Sequence, residues 1–366
     1  MFGHLPPPYF GPSTGLVSLL HSDFAQHFDV TVIDLTVVRG IGELEEFRIT
    51  KLFKLAGIVG KELYHLLTRR FDLCCYPISV NRNAFLKDAG LLAVARLFAV
   101  PTVLYAHGNN LPDFYEHSTP WVKRVFERTV RQAAGAIVQG ECLRFNFEPW
   151  LPPERIFVVP AGYEPSKVPP RARGEDGQIR VLYLGAMVRE KGVFVILEAA
   201  TKIAARRPDV RFVFVGAWFR AEQEAAAKQF IADHQLGEQV TLLGPVSNEV
   251  KWQTLVDADM LVFPTFYYYE TMGGVLLEAM QAGLPVIATR RASIPEIIQD
   301  GVQGLLIKEQ DPDELAEKIL RLADDPALRA KMGAAGRQRF DGYYTHEHYG
   351  RRMIGVFDQL VAHRGR

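Results

Sequence analysis

The chain has no surplus charge: 42 lysines and arginines face 42 aspartates and glutamates over 366 residues. That balance argues against binding nucleic acid through bulk electrostatics, which needs a basic excess. Cysteine is scarce, with three residues in all, two of them adjacent (Cys74 and Cys75). No disulfide framework can be built from that set, and a reducing cytoplasm is the compartment it fits. Long apolar runs are missing too. Stretches such as "AGLLAVARLFAV" are interrupted by charge and too short to span a bilayer. The opening "MFGHLPPPYFGP" has neither a basic region nor an apolar core and does not read as a signal peptide. A phosphate loop ending in Gly-Lys-Ser/Thr, a Gly-x-Gly-x-x-Gly fingerprint and zinc-ligand spacing are all absent. The pair Asp257 and Asp259 imitates a metal-binding Asp-x-Asp, but it reads as a helix end running into the apolar strand "MLVFPT". Neither a metal site nor a cofactor is expected.

What is present is enough apolar residue, 48%, to bury a sizeable core. At roughly 150 residues per domain the length suggests two or three domains. The second half alternates strand and helix: "RVLYLGAM", "VFVILEAATKIAARR", "VRFVFVGA", a charged helix over 220–234, "QVTLLGPV", "NEVKWQTLVDA", "DMLVFPT". Its strands are continuous β-branched runs, as buried parallel strands require. The first half repeats the rhythm less cleanly in "DVTVIDL", "FDLCCYPI", "PTVLYAHG", "AGAIVQG" and "RIFVVPAG". Between them "EPSKVPPRARGEDGQ" is a linker. The expected domains are 1–170 and 171–345, with a C-terminal helix over 346–366 packing back on the first. Two such α/β domains facing one another would form a cleft walled by the carboxyl ends of their strands.

Within the second half, "YYYETMGGVLLEAMQAGLPVIA" places Glu278 in the middle of an apolar helix and Glu270 eight positions before it. Gly273 and Gly274 open that helix, whose free amides suit a phosphate. Glu278, one turn inside, could clamp a ribose diol, while Glu270 would address a sugar on the other side of the phosphates. The plain alternative is a helix-surface acid and a solvated loop acid. Lys191 in "VREKG" follows a strand and opens a helix, where a cation would meet a leaving diphosphate; otherwise it is a surface lysine. His107 ends the strand in "LYAHGNN", and Asn109 and Asn110 follow as sugar-binding candidates.

The stretch "ETMGGVLLEAMQAGLPVIATRRASIPEIIQDGVQGLLI" resembles the nucleotide-sugar segment of glycosyltransferase family 4, with its Glu-x7-Glu element. The resemblance continues through "DPDELAEKILRLADDPALRAKMGAAGRQRF", "VLYLGAMVREKGVFVILEA", "LPPPYFGP", "YAHGNN" and "RIFVVPAGYEP". It implies an α/β fold of GT-B type, two opposed Rossmann-like domains with a cleft between them. It also implies a retaining, metal-independent transferase using a nucleotide-diphosphate sugar, with Glu270, His107 and Lys191 catalytic. Glu278, Gly273, Gly274, Arg189 and Gly11 would bind the donor. Two positions depart from the family pattern. Ala186 stands where an arginine is usual, and Arg189 is the candidate to replace it; Pro12 stands where a second glycine follows Gly11. Only "MFGHL" precedes Pro6, so the usual first strand looks absent.

The "PTFYYYE" variant looks most like bacterial surface-polysaccharide transferases, with a glycan or lipid-linked glycan as acceptor. The segment 47–70 carries Arg48, Lys51, Lys54, Lys61, Arg69 and Arg70 against Glu62, with leucines and isoleucine at helical spacing. A peripheral contact with the inner membrane face would suit it, and so would packing on the domain's own sheet. The rival functions are a soluble-acceptor transferase or phosphorylase of the same fold, and a catalytically weak sugar-nucleotide-binding protein.

Overall fold

The structure, a computed structural model, describes residues 1–6, 11–36, 49–108, 110–172 and 176–362. The chain divides into two compact units. Unit 1 comprises Met1–Glu164 and Tyr344–Arg366, and unit 2 Pro165–Tyr343.

Unit 1 runs β1 (Phe2–Gly3), α1 (Gly11–His21), α2 (Phe24–His27), β2 (Ile33–Asp34), α3 (Ile49–Thr68), β3 (Cys74–Pro77), α4 (Arg82–Leu97), β4 (Thr102–Tyr105), α5 (Leu111–Glu116), α6 (Pro120–Arg131), β5 (Gly135–Val138) and β6 (Ile156–Val158). Strands β3 to β6 pair in sequence order as a parallel sheet, and β1 pairs with β2 beside them. The first strand is therefore present, shortened to two residues, with the Phe2 ring 4.9 Å from that of Tyr76 in β3. Cys74 and Cys75 are buried in β3, as their apolar neighbours suggest.

Unit 2 continues with β7 (Ile179–Leu184), α7 (Val193–Ala204), β8 (Val210–Val215), α8 (Ala221–Asp233), β9 (Val240–Gly244), α9 (Asn248–Asp257), β10 (Met260–Phe263), α10 (Gly274–Gln281), β11 (Val286–Thr289), α11 (Ile294–Ile297), β12 (Gly304–Ile307), α12 (Pro312–Asp324) and α13 (Pro326–Arg339). Its six strands are all parallel, in the order β12-β11-β10-β7-β8-β9. The chain builds outward from β7 to β9, returns to lay β10 against β7, and builds outward the other way. The switch point is thus between β7 and β10, where open α/β sheets bind ligands at the carboxyl ends of the strands. Asp311 and Asp325 cap α12 and α13 by accepting from the amides of Glu314 and Leu328, each with proline next in the chain.

The final helix, α14 (His346–Ala362), belongs to unit 1. Its Tyr349, Met353, Val356, Phe357 and Leu360 share a core with Leu19, Phe24, Val103 and Ile137. Tyr163 accepts from the amide of His346 and donates its own amide to Tyr344, both at 2.9 Å. This short bridge draws Tyr344 and Thr345 into unit 1, so the units part at 164/165 and 343/344 and not at 170 and 345.

Candidate active site

At the switch point the chain leaves β7 through Gly185 to a tight turn, Arg189–Lys191, and leaves β10 through the loop 264–273. Gly192 has φ 87°, and a Cβ there would lie 2.3 Å from the carbonyl oxygen of Pro264, so only glycine lets the turn approach β10 this closely. Phe266 donates its amide to the Glu190 carbonyl at 2.8 Å, stitching turn to loop. The loop is anchored from β11 onward as well. Thr289 Oγ1 donates to the Thr265 carbonyl, Arg291 Nε to that of Tyr267, and Ser293 Oγ to that of Thr271, at 2.6–2.7 Å.

This bracing brings together two residues 79 positions apart. Lys191 Nζ donates to Glu270 Oε2 at 2.5 Å, with 19% and 8% of the two side chains exposed. The same ammonium lies 4.8 Å from the centre of the Tyr267 ring. Gly273 caps α10 with φ 66°, and a Cβ on it would press Phe263 at 2.9 Å. The helix starts at Gly274 as the sequence suggests. Glu278, its fifth residue, is half-buried and accepts from Lys251 Nζ of α9 at 2.7 Å. Lys251 did not emerge from the sequence, because nothing in "NEVKWQTLVDA" marks which strand order brings α9 beside α10.

Arg189 is exposed, and its guanidinium lies 4.1 Å from the centre of the Phe194 ring. Ala186 accepts from the buried Tyr183 hydroxyl through its carbonyl at 2.6 Å. Asp257 and Asp259 bind the linker: Asp259 pairs with Arg171 at 2.8 Å and accepts from the Arg180 amide, and Asp257 accepts from the Ala172 amide. Among the described residues no group of three or more His, Cys, Asp or Glu could hold a metal ion.

In unit 1, His107 follows β4 and packs against Tyr105, ring centres 4.2 Å apart and planes tilted by 31°. Burial, with His4 adding to it, lowers its pKa to about 4, so the imidazole is neutral at physiological pH. It lines a small cavity with His4, Pro12, Pro77 and Tyr349. Gly11 opens α1 and is exposed, and a Cβ there would meet nothing within 4 Å. Pro12 sits in the first turn of that helix, where a missing amide costs nothing. Asn110 is buried, and among the described residues its Oδ1 has no hydrogen-bond partner; Asn109 lies outside the described residues.

Residues 169–339 match the family described as glycosyl transferases group 1. The alpha-D-kanosaminyltransferase of Streptomyces kanamyceticus is 26% identical over 287 residues, 73% of this chain and 72% of the relative. The D-inositol 3-phosphate glycosyltransferase of Pseudarthrobacter chlorophenolicus is 29% identical over 68% of this chain and 63% of the relative. Among solved structures, the sucrose-phosphate synthase of Thermosynechococcus elongatus superposes with TM-score 0.72 at 22% identity, covering 91% of this chain and 84% of that one. Anabaena HepE in complex with UDP and glucose superposes with TM-score 0.69 at 20% identity, covering 94% and 89%. The second unit thus resembles the group 1 glycosyltransferases, and the likeness to the solved structures shows a GT-B fold of two Rossmann-like domains.

Proposed function

We propose that this chain is a glycosyltransferase of the group 1 type that moves a sugar from a nucleotide-diphosphate sugar to a glycan or lipid-linked glycan, with retention at the anomeric carbon and without a metal. The observation that carries the reading is the Lys191–Glu270 pair at the switch point, beside the glycine-capped start of α10. When the sugar–phosphate bond breaks, negative charge develops on the leaving diphosphate. Lys191 and the first amides of α10 are placed to stabilise it, as a metal ion does in other transferases. Glu270 accepts from hydroxyls of the donor sugar and Glu278 from the ribose. In unit 1, the neutral imidazole of His107 can bond a sugar hydroxyl in either direction. The leaving diphosphate takes the acceptor's proton, so attack comes from the leaving-group face and configuration is kept.

A role in bacterial surface polysaccharide synthesis would require meeting a lipid-linked acceptor at the inner membrane face. Helix α3 supports peripheral contact there. Phe53, Leu63, Tyr64 and Leu67 are exposed on it, with Lys54 and Lys61 alongside. Phe47 and Arg48 lie outside the described residues, as do the side chains of Lys51 and Leu52.

Incubation with a panel of UDP-, GDP- and other nucleotide sugars, with the product anomer read by NMR, tests the reading. Turnover should persist in excess EDTA. Complete loss with EDTA, restored by magnesium or manganese, overturns the metal-independent part, and an inverted product overturns retention.

A further inference from the structure

We propose that Lys251 is a further donor-binding residue, and that its ammonium selects nucleotides whose base turns a carbonyl oxygen toward it. The inference rests on the reading of Glu278 as the ribose clamp. At about 1.5 Å per residue, α10 places Glu278 about 6 Å beyond Gly274. That spacing suits phosphates at the helix start and ribose at Glu278. The base is bonded to the ribose carbon next to the one bearing the 2′-hydroxyl. A group one hydrogen bond beyond the clamp therefore lies at the nucleoside end of the site, opposite Lys191.

Lys251 is such a group. Its Nζ is 2.7 Å from Glu278 Oε1, and the two side chains keep 24% and 20% of their surface exposed, open to an arriving ligand. Its helix is fixed at the start, where Ser247 caps it by accepting from the Val250 amide. A lysine ammonium has three donors and no acceptor. One is given to Glu278, which leaves two that can be satisfied only by acceptors. Guanine offers the O6 carbonyl where adenine has an amino group, and uracil offers O4 where cytosine has an amino group. An amino group turned to Lys251 would set donor against donor.

The test is calorimetric titration of the full chain with free GDP, ADP, UDP and CDP. Within each pair the charge and ring size are the same, so general attraction to Lys251 cancels. Wild type should bind GDP over ADP, or UDP over CDP, by about tenfold or more. Lys251→Met should cut that ratio to about threefold or less while leaving the melting temperature near wild type. Lys251→Gln serves the same purpose if the methionine variant does not fold. Glu278→Gln should weaken all four nucleotides and keep the ratio. An unchanged ratio in the Lys251 variant, or no discrimination by wild type, overturns the assignment of Lys251. Failure of all four nucleotides to bind wild type overturns the donor reading itself.

Discussion

Two helices of this chain hold a glutamate among apolar residues, and they treat it in opposite ways. In α10, Glu278 keeps a fifth of its side chain exposed and shares a hydrogen bond with Lys251. In α3, Glu62 is 1% exposed, and neither carboxylate oxygen has a hydrogen-bond partner among the described residues. Burial pushes its carboxyl from the ordinary 4.5 to about 8. Glu62 even lies in the middle of the inward face, a turn beyond buried Ile58, while Phe53 and Tyr64 on the opposite side are exposed. One of these acids is thus paired with a cation beside the candidate site, and the other is stripped of charge by the core. The flanking sequence does not say which, because the partner comes from another helix.

The comparison breaks first at Glu270, the other lysine-paired acid. Glu270→Ala should cut transfer by about two orders of magnitude, the effect of losing one hydrogen-bonded group where the sugar is held. Near-wild-type turnover in a steady-state assay would reduce its pair with Lys191 to a structural tie.

Glu62 comes next. Its pKa is raised in the folded state, so its contribution to stability is complete below about 4.5 and is lost as pH rises through about 8. Melting temperature should fall across that window, and Glu62→Gln should remove most of the fall, gaining about 2 kcal/mol at pH 8. Identical pH profiles for the two proteins would mean that Glu62 finds a partner in solution.

Glu278→Gln should raise the donor KM about tenfold and leave kcat within about a factor of two, since a ribose contact is made equally in ground and transition states. A selective fall in kcat would move Glu278 from the donor clamp to the chemistry.

The smallest effect should be at the surface of α3. Phe53, Tyr64 and Leu67 changed together to serine should weaken flotation with anionic vesicles at low salt, and leave transfer to a soluble acceptor unchanged. Absence of flotation by wild type under those conditions would dismiss the membrane contact.

Most of the scaffold was legible because its strands are short apolar runs between turn residues, and because aspartate–proline pairs announce α12 and α13. The glutamate pair and the glycines before α10 were legible for a similar local reason, their spacing along one segment. Lys251 was not, since its meeting with Glu278 depends on strand order. The stripe on α3 misled in a different way. Leucines and isoleucine recur around so much of that helix that periodicity cannot say which part turns inward, and the inward face proved to be centred on an acid. The two residues of β1 are too few for a pattern to register.

The path of the chain between its two units has a consequence for synthesis. Unit 2 is one uninterrupted segment and can close as soon as Tyr343 has left the ribosome. Unit 1 cannot close at residue 164, because its core includes Tyr349, Met353 and Phe357 of α14, which are translated only after all of unit 2. The earlier-made unit therefore waits with apolar surface uncovered, a period in which chaperone capture and aggregation compete with folding. Ribosome-stalled chains ending at residue 343 should show a protease-resistant unit 2 behind a protease-sensitive unit 1. The half of the protein that is made first is completed last.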